Sequence, residues 1–140
     1  DKFYQSEKYF NVVKLEDLYE SDGAYKDFRA FLTGHCNVFP TPFVTVHNLF
    51  HMQYCFYEHK VAIQFHLEKL CKPDGKATAM QKLPSKIMKL EGWEILDLDE
   101  TEFKSWDYQK RIDELQGWLR AAKERQIEKG VLPKEQPKYV

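Results

Sequence analysis

Leu83-Pro84-Ser85-Lys86-Ile87-Met88-Lys89-Leu90-Glu91-Gly92-Trp93-Glu94-Ile95-Leu96-Asp97-Leu98 contains the change of period that decides the fold. Leu83, Ile87 and Leu90 recur at helical spacing, which predicts a helix over 78–91 with these residues as its apolar stripe. Pro84 is expected in the first turn or at the true start, where its missing N–H costs nothing. Gly92 can adopt the left-handed conformation that ends a helix. Trp93, Ile95, Leu96 and Leu98 then form a short, largely apolar strand that reads as buried. Upstream, Lys72-Pro73-Asp74-Gly75-Lys76 has turn chemistry. Before it, Val61, Ile63, Phe65 and Leu67 lie on one side of a strand, with Gln64 and His66 on the other. A strand, a helix and another strand in succession point to an α/β chain.

Glu58, His59 and Lys60 read as a turn joining this strand to an earlier one. Within 43–57, Val44, Val46, Phe50, Met52, Tyr54 and Phe56 alternate with the polar residues Thr45, His47, His51 and Gln53. The alternation predicts extended chain interrupted by a turn or bulge near Asn48; a helix is the rival reading, because the stretch has no Gly or Pro, but its aromatic and β-branched content favours strands. Pro40 and Pro42 make 37–42 a connection. Tyr25, Phe28, Phe31 and Leu32 predict a short amphipathic helix capped by Asp22 and ended by Gly34. The opening residues 1–18 are aromatic-rich (Phe3, Tyr4, Tyr9, Phe10) but have no clean period. Downstream, Asp97, Asp99 and Glu100 should begin an exit loop. Ser105 should cap a long last helix that buries Ile112, Leu115, Leu119 and Ala122, with Gly130 and Pro133 closing it. The expected architecture is a small mixed sheet flanked by helices: residues 1–42 an N-terminal extension with one helix packed on the core, 43–130 the α/β core, and 131–140 a tail.

The bulk numbers fit one domain. The chain has 140 residues, 43% of them hydrophobic, enough for a single core. No run approaches the roughly 18 apolar residues of a membrane span, so no membrane association is expected. No signal peptide is visible, and three unevenly spaced cysteines (Cys36, Cys55, Cys71) suit a reducing compartment better than a disulfide scaffold. A chain opening at Asp1 reads as part of a longer protein. A net charge of -1 gives no general drive toward nucleic acid. The distribution is uneven: Glu16, Asp17, Glu20, Asp22 and Asp27 make the start acidic, whereas Lys69, Lys72, Lys76, Lys82, Lys86 and Lys89 make the middle basic.

In the order Leu83, Lys86, Gly92, Trp93, Ile95, Leu98, Glu102 and Phe103, followed by a basic amphipathic helix, the chain resembles the RAP domain. In that family a Leu and basic residues open a helix ending in Gly and an aromatic residue, a short strand follows, and an acidic-aromatic pair leads into the last helix. The strand beginning at Lys60-Val61-Ala62-Ile63-Gln64-Phe65 fits the family's central strand, and the resemblance spans about Lys60 to Arg125. Pro84 stands where the family often has Lys, and Phe103 where it usually has Trp. RAP domains close FAST-kinase-like proteins of mitochondria and related organellar RNA factors, and are similar in fold to PD-(D/E)XK endonucleases. The resemblance implies a mitochondrial protein that binds, processes or stabilises transcripts.

A PD-(D/E)XK nuclease needs an acid on one strand and acid-x-Lys on the next, so that carboxylates hold Mg²⁺ and the Lys assists water. Here the second strand reads Gln64-Phe65-His66, and the first offers His51 and Gln53, with Glu58 as the nearest acid. Gln64, His66 and His51 are therefore the candidates for a degenerate cleft, and no metal, cofactor or hydrolysis by this chain alone is expected. His47 and His51, with His59, His66, Cys55 and Cys71 nearby, form no compact zinc-ligand pattern. Cys71 has no base arranged beside it in the sequence. Lys69, Lys72, Lys76, Lys82, Lys86 and Lys89 are the candidate phosphate contacts. Trp93, Trp106 and surface tyrosines could stack on unpaired bases, although Trp93 also reads as core. Lys110, Arg111, Arg120, Lys123 and Arg125 alternate with acids and read as a solvated, salt-bridged face. The expected function is non-catalytic binding of single-stranded RNA. The alternatives are a protein-interaction domain in an organellar complex and an active metal-dependent nuclease.

Overall fold

The structure, a computed structural model, describes residues 21–36, 40–46 and 50–131, with the backbone alone for 41–46, 50 and 51. The expectations for 1–18, for the break at Asn48, for Pro133 and for the tail lie outside the described residues. Four helices and four strands follow in the order α1 (Gly23–His35), β1 (Thr41–Val46), β2 (Phe50–Phe56), β3 (Val61–His66), α2 (Ala79–Leu90), β4 (Glu94–Asp99), α3 (Glu100–Ser105) and α4 (Tyr108–Glu128). The chain is mixed α/β. Its sheet runs β1-β2-β3-β4, with β1, β2 and β3 antiparallel and β3 parallel to β4. A parallel pair needs a crossover, and α2 supplies it.

Every residue of β3 is buried. On one side Ile63 and Phe65 join Tyr25, Phe28 and Leu32 of α1, Phe103 of α3 and Leu115 and Leu119 of α4. Phe28 is the hub: its ring stacks on Phe65 at 4.3 Å and meets Phe103 and Tyr54 edge-on at 5.1 and 5.5 Å. On the other side Ala62, Met52, Cys55 and Ile95 pack under Met88 of α2. The polar half of the strand alternation is therefore not a solvent side, because helices cover both faces. β4 is an edge strand and only half buried, with Ile95 and Leu98 turned into opposite cores.

The helix boundaries follow local chemistry. Asp22 caps α1 by accepting from Tyr25 N at 3.1 Å. Gly34 does not end that helix, which continues to His35 with Cys36 as its cap. Thr78 and Gln81 form a reciprocal capping box at the start of α2. That box, rather than Pro84, sets the helix start, and Pro84 lies inside the helix. Gly92, at φ +93°, completes the stop: its N–H donates to Lys89 O, and Trp93 N–H donates to Met88 O. Gly75, at φ +82°, passes so close to Thr101 that a Cβ would stand 2.7 Å from Oγ1.

Three further expectations are corrected. Asp97 and Asp99 belong to β4 and Glu100 opens α3, so the acidic run is strand and helix rather than exit loop. Ser105 ends α3, while Asp107 caps α4 by accepting from Lys110 N at 2.8 Å. The chain needs the extra helix to bring Phe103 over Phe28. The phase of α2 is the third correction. Its buried residues are Ser85 and Met88, whereas Leu90 is 89% and Met80 76% exposed. Two helical residues turn about 200°, so Leu83 and Ile87, each two from Ser85, and Leu90, two from Met88, stand away from the sheet. Small Ser85 lets the helix approach the polar residues of β3 and β4, which a Leu there would displace.

This phase has a measurable consequence. Met88→Ala should cost about 2–5 kcal/mol, as for other emptied core sites, whereas Leu90→Ala should stay within about 0.5 kcal/mol. Denaturant unfolding of both variants checks it, and a large loss for Leu90→Ala would contradict the observed phase.

Candidate nucleic-acid interface and the polar cluster beneath it

The β2-β3 ladder pairs Phe56 with Val61, Cys55 with Ala62 and Tyr54 with Ile63. At the next position the two glutamines take over. Gln53 N–H donates to Gln64 Oε1 at 2.6 Å, and Phe65 N–H donates to Gln53 Oε1 at 3.0 Å. Each buried side chain thus satisfies a backbone donor of the opposite strand, and both are almost fully buried. Gln64 is committed to holding the sheet together.

His66, two residues on, is 2% exposed. Its Nε2 lies 2.8 Å from Asp97 Oδ1 on β4, and the same oxygen accepts from Ser85 Oγ of α2 at 2.7 Å. A carboxylate only accepts, which places the imidazole proton on Nε2. The aspartate stands between serine and histidine, so no base faces the hydroxyl, and the nucleophile-base order of a serine hydrolase is missing. Lys89 Nζ reaches the other oxygen, Asp97 Oδ2, at 3.8 Å and is half exposed. The buried cluster thus opens to the surface through Lys89. Asp97, Ser85 and Lys89 as a unit are what sequence reading missed. The signal was present in the alternation of Ile95 and Asp97, which puts the acid on the face opposite Leu96.

Of the degenerate-cleft candidates, Gln64 and His66 share β3. His51 sits on β2 opposite Thr45, and its side chain lies outside the described residues, as does His47 entirely. Glu58 is exposed in the turn at the far end of the hairpin. Among the described residues no three His, Cys, Asp or Glu side chains are grouped to hold a metal ion. Burial pushes the Cys55 thiol up to about 12. Burial, and then the Asp99 carboxylate, raise Cys71, whose Sγ lies 3.2 Å from Leu67 O. Neither is a ready thiolate.

The lysines divide into three sets. Lys69 is tied to the α1 cap, 3.0 Å from Asp22 Oδ2. Burial raises the Asp22 carboxyl, but Lys69 and the Tyr25 amide outweigh it and hold it below its ordinary value. Lys72 and Lys76 are exposed on either side of the Asp74-Gly75 turn. Lys82, Lys86 and Lys89 follow one flank of α2, and among the described residues Lys82 and Lys86 form no ion pair. Four residues of helix advance about 6 Å, so these ammonium groups form an ascending row. Trp106 packs against the core under Lys110, and Trp93 meets Tyr57 edge-on at 6.0 Å. On α4 the basic residues reach other elements: Arg111 donates to Phe103 O, and Arg125 to Glu94 Oε1 at 2.6 Å. That face holds the fold as well as meeting solvent.

No described helix is long and apolar enough to cross a membrane. Comparison with known protein families and with curated protein sequences finds no match to this chain.

Gln64→Leu would leave Gln53 N–H buried without its acceptor, and Gln53→Leu would do the same to Phe65 N–H. Each should cost about 1–3 kcal/mol, and because the two residues touch in one hydrogen-bonded network the double variant should depart from the sum by about 0.5 kcal/mol or more. Gln64→Glu keeps an acceptor but buries a charge. Its penalty should be present at neutral pH and fade as pH falls through the raised carboxyl pKa. Unfolding curves at pH 4 and pH 7 test this, and equal stability loss at both would refute it.

Proposed function

We propose that this chain is a non-catalytic, single-stranded RNA-binding module of a mitochondrial RNA-processing or RNA-stabilising protein, with a degenerate PD-(D/E)XK-like, RAP-type fold. The observation that carries the reading is the row of Lys82, Lys86 and Lys89 on one flank of α2, continued by Lys72 and Lys76 before the helix. Evenly spaced amines beside a strand edge suit a phosphate backbone. The order of helix, Gly92, aromatic, strand and last helix supports the fold relation. The non-catalytic part is supported by Gln64 and His66, both occupied in internal bonding at the acid-x-Lys positions.

Anisotropy titration of a labelled single-stranded RNA at two salt concentrations tests the reading. Replacing Lys82, Lys86 and Lys89 by alanine should weaken binding at least tenfold and lower the salt slope by about 2, given about 0.7 per phosphate contact on single strands. No binding by the parent chain, or no change in the variant, removes the claim.

A second reading, protein interaction, is favoured by one observation. The outer face of α2 carries Met80 and Leu90, highly exposed, and Leu83 and Ile87, half buried yet in neither core. An amphipathic partner helix with an acidic edge would match this stripe and the lysines beside it. On this reading Leu83→Asp with Leu90→Asp abolishes co-purification of a nuclease-resistant partner while leaving the thermal midpoint nearly unchanged. Retention of the partner by that variant would dismiss the stripe as its site.

A further inference from the structure

Beyond the C-terminal stop of α2, a cleft of about 300 Å³ opens between the start of β4 and the second half of α4. Trp93 and Trp118 line it, Gly92 and Ile95 contribute to its surface, and Lys89 and Lys129 border it. Both indoles are partly buried against the two cores and partly accessible, so each is held in place while still offering surface to the cleft. The volume is at the small end for ligand sites, about 300–1,000 Å³, which suits one flat ring system rather than a length of polymer.

The charges narrow the ligand further. Glu94 also lines the cleft, and it is compensated by Arg125 at 2.6 Å and Lys129 at 3.5 Å. Its carboxylate keeps a bare anion away from the cleft's interior. The bordering amines are looser: Lys89 stands 3.8 Å from Asp97, and both ammonium groups are at least half exposed. An ammonium has three donors, so each keeps donors for an incoming anion. A ligand with an uncharged aromatic body and an anionic end fits this arrangement, the body against the indoles and the anion at the border.

We propose that this cleft receives one unpaired nucleobase of a single-stranded RNA, stacked on Trp93 and Trp118, with the adjoining phosphate at Lys89 and Lys129. The inference rests on the RNA-binding reading and deepens it. Lys89 ends the lysine row and also borders the cleft, so a strand following the row arrives where a base can leave it.

The experiment has two readouts on the purified chain. Quenching of tryptophan fluorescence is measured with AMP, with inorganic phosphate and with O-phosphotyrosine, and labelled single-stranded RNA is titrated by anisotropy at two salt concentrations. The expected result is saturable quenching by AMP and none by phosphate. Trp118→Leu should bind RNA about tenfold more weakly, because base-aromatic stacking is lost, with an unchanged salt slope. Lys129→Glu, at a mostly exposed side chain, should weaken both readouts without a folding defect and serves if Trp118→Leu does not fold. Unaltered RNA binding by Lys129→Glu, with no AMP quenching of the parent, overturns the cleft while leaving the lysine surface intact. AMP quenching without RNA binding supports a nucleotide cleft and removes the RNA reading. Quenching by O-phosphotyrosine alone overturns the proposal in favour of a protein ligand.

Discussion

The structure depends on a strand that has no solvent side. β3 lies between β2 and β4, with α1, α3 and α4 over one face and α2 over the other, and all six of its residues are buried. Any polar side chain placed there must find its partners within the protein, because burial without them costs as much as the fold can spare. Gln64 does so by accepting from the Gln53 backbone across the hairpin, while Gln53 accepts from Phe65 N–H, and His66 by meeting Asp97 on the neighbouring strand. A buried strand thereby makes its two polar positions part of what holds the sheet.

The same requirement explains how the helices dock. α2 approaches the polar half of β3 through Ser85, whose hydroxyl joins the Asp97 carboxylate, and its larger apolar residues are rotated outward. On the other face Gln126 of α4 donates to Lys60 O and Gly92 O at 2.9 and 2.8 Å. Those carbonyls precede β3 and β4, so one fully buried amide ties together the entrances of the parallel pair. Hydrophobic burial brings the layers together, but it has no direction. These few polar contacts supply direction and help set how the layers align.

A framework consolidated inside leaves its surface as the place for the binding proposed above. The lysine flank of α2 and the Trp93-Trp118 cleft meet at Lys89, which also touches the internal cluster through Asp97. Lys89 is thus a half-exposed side chain at which the proposed binding surface borders the buried Ser85-Asp97-His66 cluster.

Much of the element order was legible in the residues. Asp22, the Asp74-Gly75 turn and Gly92 act through contacts a few residues away, and the alternation in β2 and β3 reflects a backbone geometry that repeats every two residues. The sequence by itself determined where most elements lie, that helices and strands mix, and that Gln64 and His66 share one side of the strand that carries Ile63 and Phe65 on the other. It did not determine which side of α2 faces the sheet, because the apolar stripe at Leu83, Ile87 and Leu90 obeys the usual pattern and only the polar residues of β3 and β4 reverse it. Nor could it place Asp97 beside His66, thirty-one residues away, or join Trp93 to Trp118 in one cleft. Those are pairings between elements distant in the chain, and only the packing of layers around β3 decides them.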